Sequence, residues 1–354
     1  MPNGMQTRRG FAKASVCTAA AAVSGVGSVC LQAESQADPK EPFFRTRGVV
    51  LRPEDILMAD WPERARKAGL TTIASHPFPG TVIGLLRTER GRHFFNKCRQ
   101  VGLQVEHELH AMGSLLPRTL FEKNPEMFRM DENGNRTRAG NCCPSNARAL
   151  AIIAESAVRI CEALPSTTGR YFLWGDDMVG WCLCRNCRGF LPADQALMVV
   201  NRMCRALREV EPKFQVAHLA YQKTRRPPKQ IKPVEGVFLE FAPNRSYHRS
   251  YESQWKAGDF DTIHALDANL EVFPRDTAQV LEYWLDVGRF SNLVRSKQPV
   301  KLPWKRDVFL ADVEAYRSRG IRHVTTFATG VNPGYRKLHG DLSFIDEYGA
   351  GLLR

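Results

Sequence analysis

In residues 145–177, SNARALAIIAESAVRICEALPSTTGRYFLWGDD, a helical pattern gives way to a strand pattern. Ser145-Asn146 are good helix caps, and Leu150, Ile153, Ala157, Ile160 and Leu164 then recur at helical spacing on one face. After that pattern, Tyr171-Phe172-Leu173-Trp174 is a short apolar run that reads as a strand. A helix feeding a fully buried strand is half of a βα unit.

The same alternation extends in both directions. Candidate strands fall at 48–51, 71–75, 104–109, 171–174, 215–219, 237–241, 280–284 (weak) and 323–327. Between them, Phe94, Phe95, Cys98 and Val101 form one helical stripe, and Leu197, Val200, Cys204 and Leu207 form another after Pro192-Ala193-Asp194. These stripes are core faces, not cofactor boxes. Eight strands alternating with helices predict an α/β fold, a single (β/α)8 TIM-like barrel over 47–354. No internal repeat or low-complexity linker interrupts it.

The N-terminus carries Thr7-Arg8-Arg9-Gly10-Phe11-Ala12-Lys13 and then an Ala-rich apolar stretch to about Ala33. A charged start, a short apolar run and small residues near a cut describe an export signal, and the paired arginines resemble the twin-arginine type. Residues 1–33 are therefore expected to be a signal peptide read by the twin-arginine export machinery. Residues 34–46, polar with Pro39 and Pro42, would be a tether. The protein is expected to be periplasmic or extracellular. No stretch is apolar enough for a stable membrane span.

The formal charge of the 354-residue chain is +13, and Arg8, Arg9 and Lys13 account for three of those charges. The remaining Lys and Arg are spread along the chain, with small clusters such as Lys223-Thr224-Arg225-Arg226. No basic stripe is interleaved with aromatics, so a nucleic-acid partner is not expected.

Active sites of such barrels lie at the C-terminal ends of the strands. The residues predicted there are His76; Glu106, Glu108 and His110, which alternation places on one face; Trp174-Gly175-Asp176-Asp177; His218 and Tyr221; Glu240 with Asn244-Arg245; and Glu282, Tyr283 and Asp286. Aromatic faces stack on sugar rings, and carboxylates bind hydroxyls or move protons. The Asp176-Asp177 pair is the sharpest feature. Two close carboxylates push their pKa values apart, which gives the acid and base division a glycosidase uses. An Asp pair that only caps its loop is the competing reading.

Two of the ten cysteines lie in the signal. Cys98, Cys161 and Cys204 fall on helical core faces and read as buried thiols. Cys182-Leu183-Cys184-Arg185-Asn186-Cys187 follows the Asp pair, and Cys142-Cys143 precedes the helix before it. Cys143, Cys182, Cys184 and Cys187 could hold a structural zinc, or form disulfides in an oxidising compartment. A structural staple is expected over a catalytic thiol, because nothing nearby resembles a paired His base.

Several of these stretches resemble the family called domain of unknown function 4838, whose characterised part is glycoside hydrolase family 163. They are Asn141-Cys142-Cys143-Pro144-Ser145-Asn146, Trp174-Gly175-Asp176-Asp177, Trp181-Cys182-Leu183-Cys184-Arg185-Asn186-Cys187 and Ala193-Asp194-Gln195-Ala196-Leu197. Leu219-Ala220-Tyr221, Leu239-Glu240-Phe241-Ala242-Pro243, Leu281-Glu282-Tyr283-Trp284-Leu285-Asp286 and the segment 320–327 follow in order. The resemblance covers roughly residues 100–354. It implies a retaining endo-β-N-acetylglucosaminidase that uses the substrate acetamide as nucleophile. Carried over by position, it makes Asp176 the group orienting the acetamide and Asp177 the acid/base, with Tyr283 bonding the acetamide. His76, Glu108, His110, Trp174, Tyr221 and Glu240 would bind the glycan. No cofactor is expected for catalysis. Two alternatives remain: a glycan-binding barrel without activity, and a metal-dependent hydrolase, which needs His76, Glu108 and His110 to converge.

Overall fold

The computed structural model describes residues 41–243, 260–291 and 299–354. The signal, most of the tether and Asn244-Arg245 lie outside the described residues. The description below concerns the unit from Pro42 to Arg354.

Eight parallel strands close a barrel in sequence order: β1 (Thr46–Leu51), β2 (Thr72–Ser75), β3 (Gln104–His110), β4 (Arg170–Trp174), β5 (Gln215–Ala220), β6 (Val237–Phe241), β7 (Gln279–Glu282) and β8 (His323–Phe327). Closure is direct, with Val49 opposite Thr326 across β1 and β8. All eight predicted strands are present. The weak seventh ends two residues early, and beyond it Tyr283 and Asp286 line the mouth while Trp284 and Leu285 join the outer core. The helix predicted from Ser145-Asn146 runs Ala147–Ala163, and the Asn146 side chain accepts the Ala149 N–H at 2.9 Å. No helix among the described residues is long and apolar enough to cross a membrane.

The core is arranged in two shells. The outward strand faces pack on the helices through residues such as Ile73, Leu109, Leu173, Leu239 and Val324. The inward faces fill the barrel with Val50, Ala74, Phe172, Trp174, Ala217, Phe238, Leu281 and Phe327. Polar groups share that interior. The Arg170 guanidinium lies 4.1 Å from the Phe238 ring centroid, and Glu106, Glu108, Glu240 and Gln279 are all buried.

Two glycines test how tightly the outer shell is closed. A Cβ on Gly349, in the helix Ser343–Leu352, would lie 1.8 Å from the Ala68 carbonyl oxygen, whereas one on Gly84 meets nothing within 4 Å. Backbone cannot yield as a side chain can, so Gly349→Ala is expected to cost about 3 kcal/mol. Gly84→Ala, within the helix Pro79–Arg87, is expected to add roughly 0.5 kcal/mol through lost unfolded-state entropy. Denaturant unfolding of the two variants checks both signs.

Candidate active site at the barrel mouth

A cavity of about 370 Å³ opens at the C-terminal ends of the strands. Such a volume is within the range of small-ligand sites. Asp177 enters it from the loop after β4, and Asp286 from the turn after β7. Trp174, His76, His110, Tyr221 and Tyr283 also line it. Five of the predicted substrate-binding residues are therefore brought together with Asp177.

The aromatic floor is held from several sides. The Trp174 indole N–H donates to Glu240 Oε2 at 2.6 Å, which fixes the ring. The His110 ring stands edge-on to Trp174 at 5.2 Å, and His76 lies 5.4 Å from His110. His76 Nδ1–H donates to the Glu108 carbonyl at 2.8 Å. Burial pushes its pKa down to about 3, so the ring is neutral. Tyr283 packs on Phe327 at 5.2 Å and shares a hydrogen bond with Tyr221. Burial, then the neighbouring Tyr221, hold the Tyr283 hydroxyl well above its ordinary pKa.

Asp286 and the adjacent Asp pair have different environments. Burial pushes the Asp286 carboxyl up to about 6, against the Arg289 N–H that its Oδ1 accepts at 3.2 Å. Asp176 is engaged with its own loop: Oδ1 accepts the N–H groups of Met178 and Val179, both at 3.0 Å. Its backbone is clasped by Asn141, whose Oδ1 accepts the Asp176 N–H and whose Nδ2 donates to the Asp176 carbonyl, both at 2.8 Å. Asp176 lines a smaller pocket of about 40 Å³ instead of the mouth cavity. That pocket continues past Trp174, Asp177, Leu219 and Tyr221, which both spaces share, toward Val199, Val200 and Met203 on the helix Pro192–Val210.

Two predicted binding residues are corrected. Glu108 and Glu240 are fully buried and line neither space. Glu108 Oε1 accepts from Gln279 Nε2 at 3.3 Å and from Thr325 Oγ1 at 3.4 Å. Glu240 supports Trp174 from below. The reason is depth: a strand rises about 3.3 Å per residue, so Glu108 sits roughly 7 Å below His110, and Glu240 is as far below Ala242. Glu282, also expected at the rim, accepts from the Tyr316 hydroxyl. His218 is buried and stacks on Phe273 at 5.1 Å. His76, Glu108 and His110 do not form a ligand cluster among the described residues, so the metal-hydrolase alternative loses its site.

Arg52 and Thr329 also line the cavity. They follow β1 and β8, and the rule that the first residues past each strand face the mouth would have found them.

The four cysteines come together and line neither space. Cys143, Cys182, Cys184 and Cys187 are buried, with their sulfurs all within 4.8 Å of one another. None of the eight described cysteines is disulfide-bonded.

The eight parallel strands, alternating with helices and closed in sequence order, make a (β/α)8 TIM-like barrel. The chain matches the family model described as "Domain of unknown function (DUF4838)" over residues 74–288, and it belongs to that family. Among solved structures it is similar to the β-N-acetylhexosaminidase from Bacteroides fragilis NCTC 9343, with 12% identity and a TM-score of 0.53, over 88% of this chain and 66% of that one. It is also similar to PbGH5A, a glycoside hydrolase family 5 enzyme from Prevotella bryantii B14, with 8% identity and a TM-score of 0.51, over 88% of this chain and 98% of that one. At these identities the likeness is one of fold. No curated protein matches the sequence.

Proposed function

We propose that the protein is a retaining glycoside hydrolase, acting at the barrel mouth on N-acetylglucosamine-containing glycans, with the substrate acetamide as nucleophile. The observation that carries this reading is that Asp177 and Asp286, from β4 and β7, face one cavity floored by Trp174. The resemblance to family 163 supplies the choice of sugar. The side pocket beside Asp177 supports it, because it is mostly apolar and has room for a group the size of an acetamide methyl.

The roles follow from the environments. Asp286, with its pKa raised to about 6, holds a proton in mildly acidic solution and is the donor to the leaving oxygen. Asp177 is the carboxylate that accepts the acetamide N–H and steadies the positive charge developing at the sugar. The acetamide oxygen attacks the anomeric carbon as the glycosidic bond breaks. Water then opens the cyclic intermediate and returns its proton to Asp286. This moves the orienting role from Asp176, whose Oδ1 serves the loop, to Asp177. A glycan outside the cytoplasm would also fit the twin-arginine-like N-terminus, and we propose export on that ground.

Aryl β-glycosides and released N-glycans, with and without a thiazoline analogue, test the reading. Turnover of N-acetylglucosaminides blocked by thiazoline is expected. Turnover of another sugar, insensitive to thiazoline, would remove the acetamide mechanism. An acid must keep its proton to act, so kcat/KM is expected to fall as the pH rises through about 6. In Asp286→Asn, activity on natural glycans should drop about 10²–10⁴-fold, while aryl glycosides with good leaving groups lose far less. An equal loss on both substrate types would mean that Asp286 is not the proton donor.

A further inference from the structure

We propose that Cys143, Cys182, Cys184 and Cys187 bind one zinc ion, and that the ion fixes the loop carrying Asp177.

The sulfur spacing is the first ground. Cys143 Sγ lies 3.7 Å from both Cys184 Sγ and Cys187 Sγ. A Zn–S bond of about 2.3 Å in a tetrahedron gives an S···S edge of about 3.8 Å. Bonded cystine sulfurs would stand about 2 Å apart. Two of the six edges have that length and all four sulfurs lie within 4.8 Å of one another, close enough to converge on one tetrahedral ion, and soft thiolates in such a set select zinc over the hard cations.

The surroundings are the second ground. A four-thiolate zinc centre carries excess negative charge and is stabilised by donors aimed at sulfur. Here the Met130 N–H donates to Cys182 Sγ at 3.3 Å, and Arg136 Nη1 approaches the same sulfur at 3.6 Å. Ser145 Oγ lies 3.0 Å from Cys187 Sγ. Cys184 and Cys187 form a tight turn, with the N–H groups of Cys187 and Arg188 both donating to the Cys184 carbonyl at 2.9 and 3.0 Å. The Gln195 amide clasps the loop from the helix side, accepting the Cys182 N–H at 3.0 Å and donating to the Cys182 and Cys187 carbonyls at 3.1 and 3.2 Å.

The position gives the ion its consequence. Cys143 belongs to the segment after β3, and the other three to the segment after β4. Two residues before Cys143, Asn141 holds the backbone of Asp176, and Asp177 follows. Residues 175–181 therefore run between the end of β4 and Cys182, braced at Asp176 by Asn141 from the other tied segment. Removing the ion would free the far end of that span while leaving the barrel closed.

The test uses the purified full chain and reads metal, not hydrolysis, so its outcome is independent of the proposed activity. Elemental analysis is expected to give about one zinc per chain, with all four cysteines alkylated as free thiols after denaturation in chelator. Cadmium-113 substitution is expected to give one resonance in the four-thiolate region. Cys184→Ser is expected to lose the metal, whereas Cys161→Ser, at a buried thiol outside the cluster, keeps it. Should Cys184→Ser fail to fold, the cadmium resonance of the parent still decides. Chelation is expected to speed amide exchange in residues 175–188 about tenfold or more while β1 to β3 stay protected. Stoichiometric iron, alkylation that needs prior reduction, or zinc retained in Cys184→Ser would overturn the site. Zinc loss without faster exchange in 175–188 would overturn the positioning role.

Discussion

Asp177→Asn is expected to lower kcat/KM by about 10³-fold on N-acetylglucosaminides, and to do so equally for poor and good leaving groups. The equality carries the meaning. A proton donor matters most when the leaving oxygen is basic, so its loss is masked by an activated aryl group. A carboxylate that orients the acetamide and steadies the charge as it develops there acts on every N-acetylglucosaminide alike, whatever its leaving group. Asn keeps the size and one oxygen but loses the charge, and its amide can present N–H to N–H. Substrates lacking the acetamide should be turned over poorly by the parent and be little changed by the substitution.

The same variant should leave folding intact, because Asp177 is half-exposed at the mouth. Asp176→Asn is the companion. Its amide oxygen can still accept the Met178 and Val179 N–H groups, so activity should fall less than tenfold. Loss of activity in Asp176→Asn comparable with Asp177→Asn would restore the roles implied by the family resemblance. Retained turnover of good-leaving-group substrates by Asp177→Asn would make Asp177 the acid.

The barrel was legible because its signals are local: apolar runs of strand length, helical stripes between them and caps such as Asn146. The strand ends were less so. Tyr283-Trp284 prolong the apolar pattern of β7, yet Trp284 Nε1–H reaches outward to Asp312 Oδ2 at 3.0 Å. Alternation put Glu106, Glu108 and His110 on one face correctly but carries no depth, and depth separates a rim residue from a buried one. Within Asp176-Asp177, type and spacing are the same for both, and only the course of the loop assigns one to backbone N–H groups and the other to the cavity. The motif Ala193-Asp194-Gln195 shows a different limit. Asp194 Oδ1 accepts the N–H groups of Lys229, Gln230 and Ile231 at 2.8–2.9 Å, and Gln195 holds the cysteine loop. These are partners distant in sequence, which no periodicity announces.

Glu240→Gln is expected to stabilise the protein at pH 8, on the order of 3 kcal/mol, with the gain shrinking as the pH falls. Burial, against the Trp174 and Arg170 interactions that favour the charge, pushes the Glu240 carboxyl up to about 8. Burial also raises Glu108 well above its ordinary value, helped by Glu240 and Glu106. One guanidinium, Arg170, faces all three carboxyls. An acid whose folded pKa exceeds its unfolded value binds a proton on folding. Its stabilisation is complete below the unfolded value of 4.5 and is lost as the pH rises toward about 8. A neutral amide avoids that loss. It can still accept the Trp174 indole N–H, and Gln279 Oε1, a buried acceptor without a hydrogen-bond partner, can take the new N–H if its amide turns. The parent alone would not show the slope cleanly. His76 and His218, pushed down by burial to about 3 and about 4, lose stabilisation as the pH falls below 6.5 and so oppose it there. The difference between parent and variant cancels those terms. Urea unfolding of both at pH 5, 6.5 and 8 should show the difference growing by up to about 1.4 kcal/mol per pH unit. A difference that stays constant across that range, or a variant less stable at pH 8, would mean that Glu240 is ionised in the folded barrel and paired with Arg170.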